Sequence, residues 1–327
     1  MGSGSLEGKR VLITGGGGNL GSHICERLMG ENAKLSVMER RSHSENKLVN
    51  LKKCKDVSIF WGDIRNTRDC HQALKEQDIV IHAAAMGHVP YSVQYPREVW
   101  ETNVDGTLNI LEAARAGGVE KLVYINSSEA YGTAKSIPIT EEHGFYPRSP
   151  YGASKGAGEL LAHSYHVSYG IKFTAVRLFN LFGPRPLMYA VIPKFILLAL
   201  ENRPLPVSGS GKQKRDYIYV EDAADAVALV AGSDKLNGEA VNIASGEPRK
   251  IIDIAKMIIE ITGSKSRIEH GPARPGEVPV LHADVSKAKR ALGWEPRHSF
   301  EDGIRKTVEW CVENREFLQP MQVSKSL

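Results

Sequence analysis

The sequence predicts an α/β chain: a doubly wound parallel sheet followed by a smaller C-terminal α/β lobe. Three features point there. Up to about Leu178, apolar runs of strand length alternate with helical segments, as in a sheet whose parallel strands are covered on both faces. The first strand empties into a glycine-rich turn that opens the first helix. After Leu178 the alternation stops, and Pro184, Pro186, Pro204, Pro206, Gly209 and Gly211 punctuate the next segment.

A length of 327 residues leaves room for such a sheet and a second lobe. The 42% hydrophobic and 24% charged content is that of an ordinary globular protein. A formal net charge of +4 without a dense Lys/Arg block argues against a nucleic-acid surface. Cys25, Cys54, Cys70 and Cys311 form no Cys-x-x-Cys pair and have no zinc-like spacing with histidine, so they read as reduced thiols, and no metal is expected. No apolar run reaches 18 residues, and Met1 to Ser5 lacks the apolar region of a signal peptide. The expectation is a cytoplasmic protein with no membrane partner.

Taken in order, Lys9 to Thr14 is an apolar strand, and Gly15-Gly-Gly-Gly18-Asn19-Leu20-Gly21 follows it directly, with Leu20, Ile24 and Leu28 on one face of the next helix. Such a loop lets the backbone approach a pyrophosphate, whose charge the helix amides and dipole meet. A dinucleotide is therefore expected at Gly15, Gly18, Asn19, Leu20 and Gly21. The second strand, Ala33 to Met38, ends in Glu39, a carboxylate placed for the adenosine ribose. Glu39 favours a free 2′-hydroxyl and hence NAD over NADP, whereas Arg40 and Arg41 favour a 2′-phosphate. Val57 to Gly62 reads as a third strand whose end, Asp63-Ile64, reaches adenine. Ile79 to Ala85 reads as a fourth, passing Ala83 and Ala84 under the cofactor. His82 and His88 each admit a metal or acid role; packing is the better reading of His82, and His88 stays open. Pro96 to Ala116 is expected to be one long helix with Val99, Val104, Leu108 and Leu111 mostly on one side.

The strand Leu122 to Asn126 delivers Ser127, Ser128 and Glu129 at its end, and Pro150-Tyr151-Gly-Ala-Ser-Lys155 opens a helix running to about Tyr169. Tyr151 and Lys155 share one helix face. An ammonium beside a phenol favours its ionised form, so the Tyr151 pKa is expected to fall towards the range of a general base. His163 and His166 lie on the same helix without a third ligand. Lys172 to Leu178 is a further strand. Beyond it, Arg215 precedes a short strand and an Ala-rich helix, and Arg274 stands between prolines. Both suit phosphate recognition, with a solvated surface role as the alternative.

These residues resemble the extended short-chain dehydrogenase/reductase family, in particular its NAD-dependent nucleotide-sugar epimerases, dehydratases and decarboxylases. The resemblance runs from Thr14 to Ser22 through Tyr151 to Lys155, Arg177 to Pro184, Arg215 to Val220 and Arg274 to Glu277, ending at Leu292-Gly-Trp294. It implies a Rossmann domain over 6–178, with 215–245 returning to it, a nucleotide-sugar lobe over 179–214 and 246–320, and a homodimer built by helix packing. It also implies that Tyr151 takes the proton of the sugar 4-hydroxyl during C4 oxidation, with Lys155 on the ribose and Ser127 on the same hydroxyl. His88, Ser128, Asn180, Arg215 and Arg274 then contact the nucleotide-diphosphate sugar.

The resemblance leaves the second step open. Glu129 occupies the position at which sugar 4,6-dehydratases carry the base that removes the C5 proton, where 4-epimerases usually have an uncharged residue. Dehydratases of the glucose type precede it with an aspartate, and here that residue is Ser128. The pair Ser128-Glu129, with Pro90-Tyr91-Ser92, looks more like dehydratases of nucleotide-linked N-acetylhexosamines. The expected order is 4,6-dehydration, then 4-epimerisation, then decarboxylation of a UDP-glucuronate type. A non-enzymatic binder comes last, since Tyr151 and Lys155 are both present.

Overall fold

A computed structural model describes residues 6–41, 49–273 and 278–315. Its centre is a seven-stranded parallel sheet. The strands are β1 (Arg10–Thr14), β2 (Lys34–Glu39), β3 (Ser58–Trp61), β4 (Ile79–His82), β5 (Lys121–Ser127), β6 (Lys172–Leu178) and, much later in the chain, β11 (Glu239–Ile243). Their spatial order is β11-β6-β5-β4-β1-β2-β3. Winding reverses between β1 and β4, and a crevice opens there at the carboxyl ends of the strands.

Neighbouring residues on each strand feed different cores. Val11 and Ile13 of β1 join one cluster with Ile24, Leu28 and Val227, while Leu12 joins another with Leu74, Ile110 and Phe173. The first cluster lies under α1 (Asn19–Met29) and α8 (Val220–Ala231). The second lies under α2 (Thr67–Leu74), α5 (Gly106–Gly117) and α6 (Pro150–Tyr169). Burial on both faces is why these strands read as unbroken apolar runs.

The expected helix over Pro96 to Ala116 is not regular. After the short α3 (Val89–Gln94), α4 (Pro96–Trp100) passes through a π-helical turn, Glu101–Asp105, into α5. The wide turn inserts residues without respecting the 3.6 period, so Val99, Val104 and Leu111 are buried but Leu108 is exposed. It also presents Asn103 inwards, where Nδ2 donates to Met86 O (3.1 Å) and Ser154 Oγ (2.9 Å), and Oδ1 accepts from Met86 N (2.8 Å).

The remaining elements form a third core. It gathers Phe182, Ile192, Phe195, Leu205, Ile254, Ile258 and Ile304. They come from β7 (Asn180–Phe182), α7 (Val191–Leu200), β8 (Leu205–Ser208), α9 (Ile251–Thr262) and α11 (Phe300–Glu313). Small sheets complete this part: β10 (Tyr217–Tyr219) on β7, and β9 (Lys214–Arg215) between β12 (Arg249–Lys250) and β14 (Val280–Leu281). β13 (Ile268–Gly271) pairs with β8, and α10 (Ser286–Leu292) packs near β11.

Candidate active site

A cavity of about 730 Å³ runs from the glycine loop, across the carboxyl ends of the strands, to the third core. Gly15, Gly18, Asn19, Leu20 and Gly21 border one end with Glu39, Arg40, Asp63 and Ile64. Ala83 and Ala84 line its floor. Ser127, Ser128, Glu129, Tyr151 and Lys155 stand at the middle, and His88, Asn180 and Arg215 beyond them. One expected residue, Arg274, falls outside the described residues.

The glycine end fits a dinucleotide on its own geometry. A Cβ on Gly21 would stand 2.3 Å from the Gly15 carbonyl oxygen, so only glycine lets α1 start this close to β1. No acidic side chain lies in the first turn of α1, so the helix itself supplies no carboxylate to its own N-terminal amides. Glu39 is 4% exposed and accepts from Gly17 N (3.1 Å) and Arg40 N (3.2 Å), which fixes its carboxylate beside the loop. Arg40 lies 4.0 Å from Asp63, within the field of another carboxylate.

The central residues are positioned by two element ends that meet. Ser127 is the last residue of β5, and its Oγ accepts from Glu129 N (3.2 Å), capping the 3-10 turn Ser128–Ala130. Helix α6 starts with Ser149 Oγ accepting from Gly152 N (3.1 Å) and Pro150 in the first turn, both standard start signals. A Cβ on Gly152 would lie 2.3 Å from the Glu129 carbonyl oxygen. Glycine there lets the helix carrying Tyr151 dock directly on the turn carrying Glu129, and the Ser127 hydroxyl hydrogen-bonds the Tyr151 phenol.

The electrostatics differ from the expectation for Tyr151. Its pKa is pushed up to about 12: burial raises it most, the Ser127 hydrogen bond opposes, and the Glu129 charge adds to the rise. Lys155, 4% exposed, sits with Nζ 4.2 Å from the centre of the Tyr124 ring, and burial pushes its pKa down to about 7 against the pull of Glu159. Desolvation of both groups outweighs the helical pairing that sequence spacing implied. Glu129 moves as a proton-transfer group should: burial raises its carboxyl above the usual range, with Arg215 opposing.

His82 is a packed residue, its two ring nitrogens 2.7 Å from Thr14 Oγ1 and 3.1 Å from Thr107 Oγ1. His88 borders the cavity and its pKa is lowered by burial. The rings of His163 and His166 are 6.4 Å apart, and among the described residues no group of three or more His, Cys, Asp or Glu is placed to hold a metal ion. The four cysteines are free thiols, all buried. Among the described residues no helix is long and apolar enough to cross a membrane.

The family model described as GDP-mannose 4,6 dehydratase matches residues 12–307. The chain belongs to the GDP-mannose 4,6 dehydratase family. It is thus an enzyme of the NAD-dependent extended short-chain dehydrogenase/reductases that act as nucleotide-sugar dehydratases and epimerases. Its relatives carry different activities. A trifunctional UDP-glucose 4,6-dehydratase/UDP-4-keto-6-deoxy-D-glucose 3,5-epimerase/UDP-4-keto-L-rhamnose-reductase of Arabidopsis thaliana is 34% identical over 94% of this chain, which spans only 48% of that protein. The structure of epimerase Mth375 from Methanothermobacter thermautotrophicus matches with a TM-score of 0.90 at 33% identity, covering 95% of this chain and 94% of the other. The dTDP-glucose 4,6-dehydratase DesIV from Streptomyces venezuelae, solved with NAD bound, matches at 0.87 and 30% identity, covering 95% and 99%.

Within this family fold, two neighbours of the reacting centre escaped the sequence reading. Asn126 holds the end of β5: Oδ1 accepts from Ser127 N (2.7 Å) and Nδ2 donates to Glu159, itself paired with Arg177. Its signal was an asparagine inside a buried strand, where an amide needs partners. Tyr189 borders the cavity from the loop before α7 and packs on His88. It lies outside any periodic segment, so no pattern marked it.

Proposed function

We propose that this enzyme dehydrates a nucleotide-diphosphate hexose or N-acetylhexosamine by the 4,6 route, with Tyr151 acting on the C4 hydroxyl and Glu129 on the C5 proton. The observation that carries the reading is Glu129: a carboxylate at the strand end, close enough to Tyr151 to raise its pKa, and itself raised by burial. A base that must take up and then release a proton works best with its pKa moved towards neutrality. Epimerisation at C4 needs no such second group.

NAD, when bound, would supply redox chemistry with no net oxidation: it would take the hydride of C4 and, after elimination, give it back at C6, with a solvent-exchanged proton restored at C5. Gly15, Gly18, Asn19, Leu20 and Gly21 would hold its pyrophosphate, Glu39 its adenosine ribose, Asp63 and Ile64 the adenine, Ala83 and Ala84 its lower face, and Lys155 the second ribose. Tyr151 removes the proton of the 4-hydroxyl, and the Ser127 hydrogen bond lowers the cost of the phenolate. Once C4 is a ketone its neighbour C5 is acidic. Glu129 takes that proton and, now a carboxylic acid, returns one to the departing 6-hydroxyl, a task that the Ser128 hydroxyl is too weak an acid to perform. His88, Ser128, Asn180, Arg215 and Arg274 would hold the substrate, with Arg215 set by its bonds to Lys214 O (2.9 Å) and Val278 O (2.7 Å).

The same reading divides the chain into a Rossmann domain, 6–178 with 215–245, and a substrate lobe, 179–214 with 246–320. It also includes a cytoplasmic homodimer. Val93, Trp100, Leu108, Leu160 and Val167 are 65%, 47%, 38%, 63% and 70% exposed on α3 to α6, a set of exposed apolar side chains that supports pairing of these helices.

The 4-epimerase reading has its own support in the 0.90 match to an epimerase and in Ser128 where glucose-type dehydratases have an aspartate. Product masses from a panel of UDP-, GDP- and dTDP-sugars decide between them. Loss of one water is expected; an unchanged mass with inverted C4 would replace dehydration by epimerisation, and loss of carbon dioxide would indicate decarboxylation.

A further inference from the structure

Tyr189 and Tyr151 both line the cavity, and their phenolic oxygens converge on one point. Seen from the point where a Cβ on Gly87 would sit, Tyr189 Oη is 3.3 Å away and Tyr151 Oη 3.9 Å away. The Tyr189 ring lies against His88 with centroids 4.4 Å apart and planes at 35°, so its phenol is held in place before any ligand arrives. We propose that Tyr189 orients the sugar: its phenol donates a hydrogen bond to a substituent next to the carbon on which Tyr151 acts, and the absence of a side chain at Gly87 leaves space beside both phenolic oxygens.

This inference rests on the nucleotide-sugar reading and deepens it. Burial and the nearby Tyr151 charge both raise the Tyr189 pKa, so Tyr189 keeps its proton and serves as donor, not base. Two phenols, one from the first turn of α6 and one from the loop before α7, fix both the position and the face of a hexose. A sugar that turned over inside the site would have to break the Tyr189 bond. The arrangement therefore favours a substrate that stays still through oxidation and elimination.

The test compares binding of matched pairs, UDP with UDP-glucose and dTDP with dTDP-glucose, by calorimetry on the full chain. Tyr189→Phe keeps the ring on His88 and removes one oxygen. It should leave UDP and dTDP affinity unchanged and weaken the nucleotide sugar roughly three- to tenfold, the worth of one hydrogen bond. Gly87→Ala, which puts a methyl group against both phenolic oxygens, should show the same selective loss, larger in size. Unchanged sugar affinity in Tyr189→Phe overturns the inference. So does an equal loss for the bare diphosphates, which would make Tyr189 a support of the loop. A wild-type protein that gains nothing from the sugar in either pair overturns the nucleotide-sugar reading itself, a result separable from the other two because it appears without any substitution.

Discussion

A buried phenol is a reluctant base, and Tyr151 illustrates the problem: burial and Glu129 hold its pKa at about 12 although Ser127 donates to it. In the proposed mechanism its value is then positional: the oxygen is placed so that, once ionised, it takes one specific proton. Tyr151→Phe should lower turnover at least about a hundredfold while nucleotide-sugar binding stays largely intact; near-normal turnover would remove Tyr151 from the mechanism. Lys155 makes a second claim testable by pH. Its folded pKa of about 7 lies below the ordinary lysine value of 10.5, so between those values the unfolded chain carries a proton that the native one lacks. This contribution therefore makes the fold more stable as pH rises through that window, and the cost of burying the ammonium is full below it. Thermal unfolding of Lys155→Met, compared with wild type at the two ends of the window, should show a smaller gain on going alkaline. An identical gain would place the Lys155 pKa near its ordinary value.

At the scale of elements, the site is made where β5 ends and α6 begins. Each end is locally specified, by Ser127 capping the turn and by Ser149 with Pro150 starting the helix, and Gly152 allows the two to touch. These signals are short-range, and the sequence displayed them. The π-helical turn at Glu101–Asp105 was not legible, because one inserted residue leaves the apolar spacing on either side intact while rotating one side relative to the other. That rotation leaves Leu108 exposed, as are Trp100, Leu160 and Val167. If these helices join two copies, Leu160→Glu with Val167→Glu should give a monomer by light scattering from a wild-type dimer. A wild-type monomer, or a double variant still dimeric, would place the contact elsewhere.

For the whole molecule, the succession of strands and helices up to Leu178 and the glycine loop were readable because strand period, turn chemistry and helix spacing are local. The return of β11 to the sheet edge, after an excursion through β7 to β10, was suggested by the resemblance; only its apolar run was local. The convergence of Tyr189 on Tyr151 and the burial that reverses the expected Tyr151 shift depend on contacts between distant segments, which no spacing encodes. Family membership brings together dehydratases, epimerases and a decarboxylase, so in the proposed function Glu129 carries the distinction. The decisive measurement is turnover in deuterated water with the C5 position of the product read by mass spectrometry or NMR, for wild type and Glu129→Gln. The account predicts deuterium at C5 of a product lighter by one water in the wild type, and no elimination in the variant. Unlabelled product of unchanged mass, formed equally well by both proteins, would contradict it and leave Glu129 a structural carboxylate.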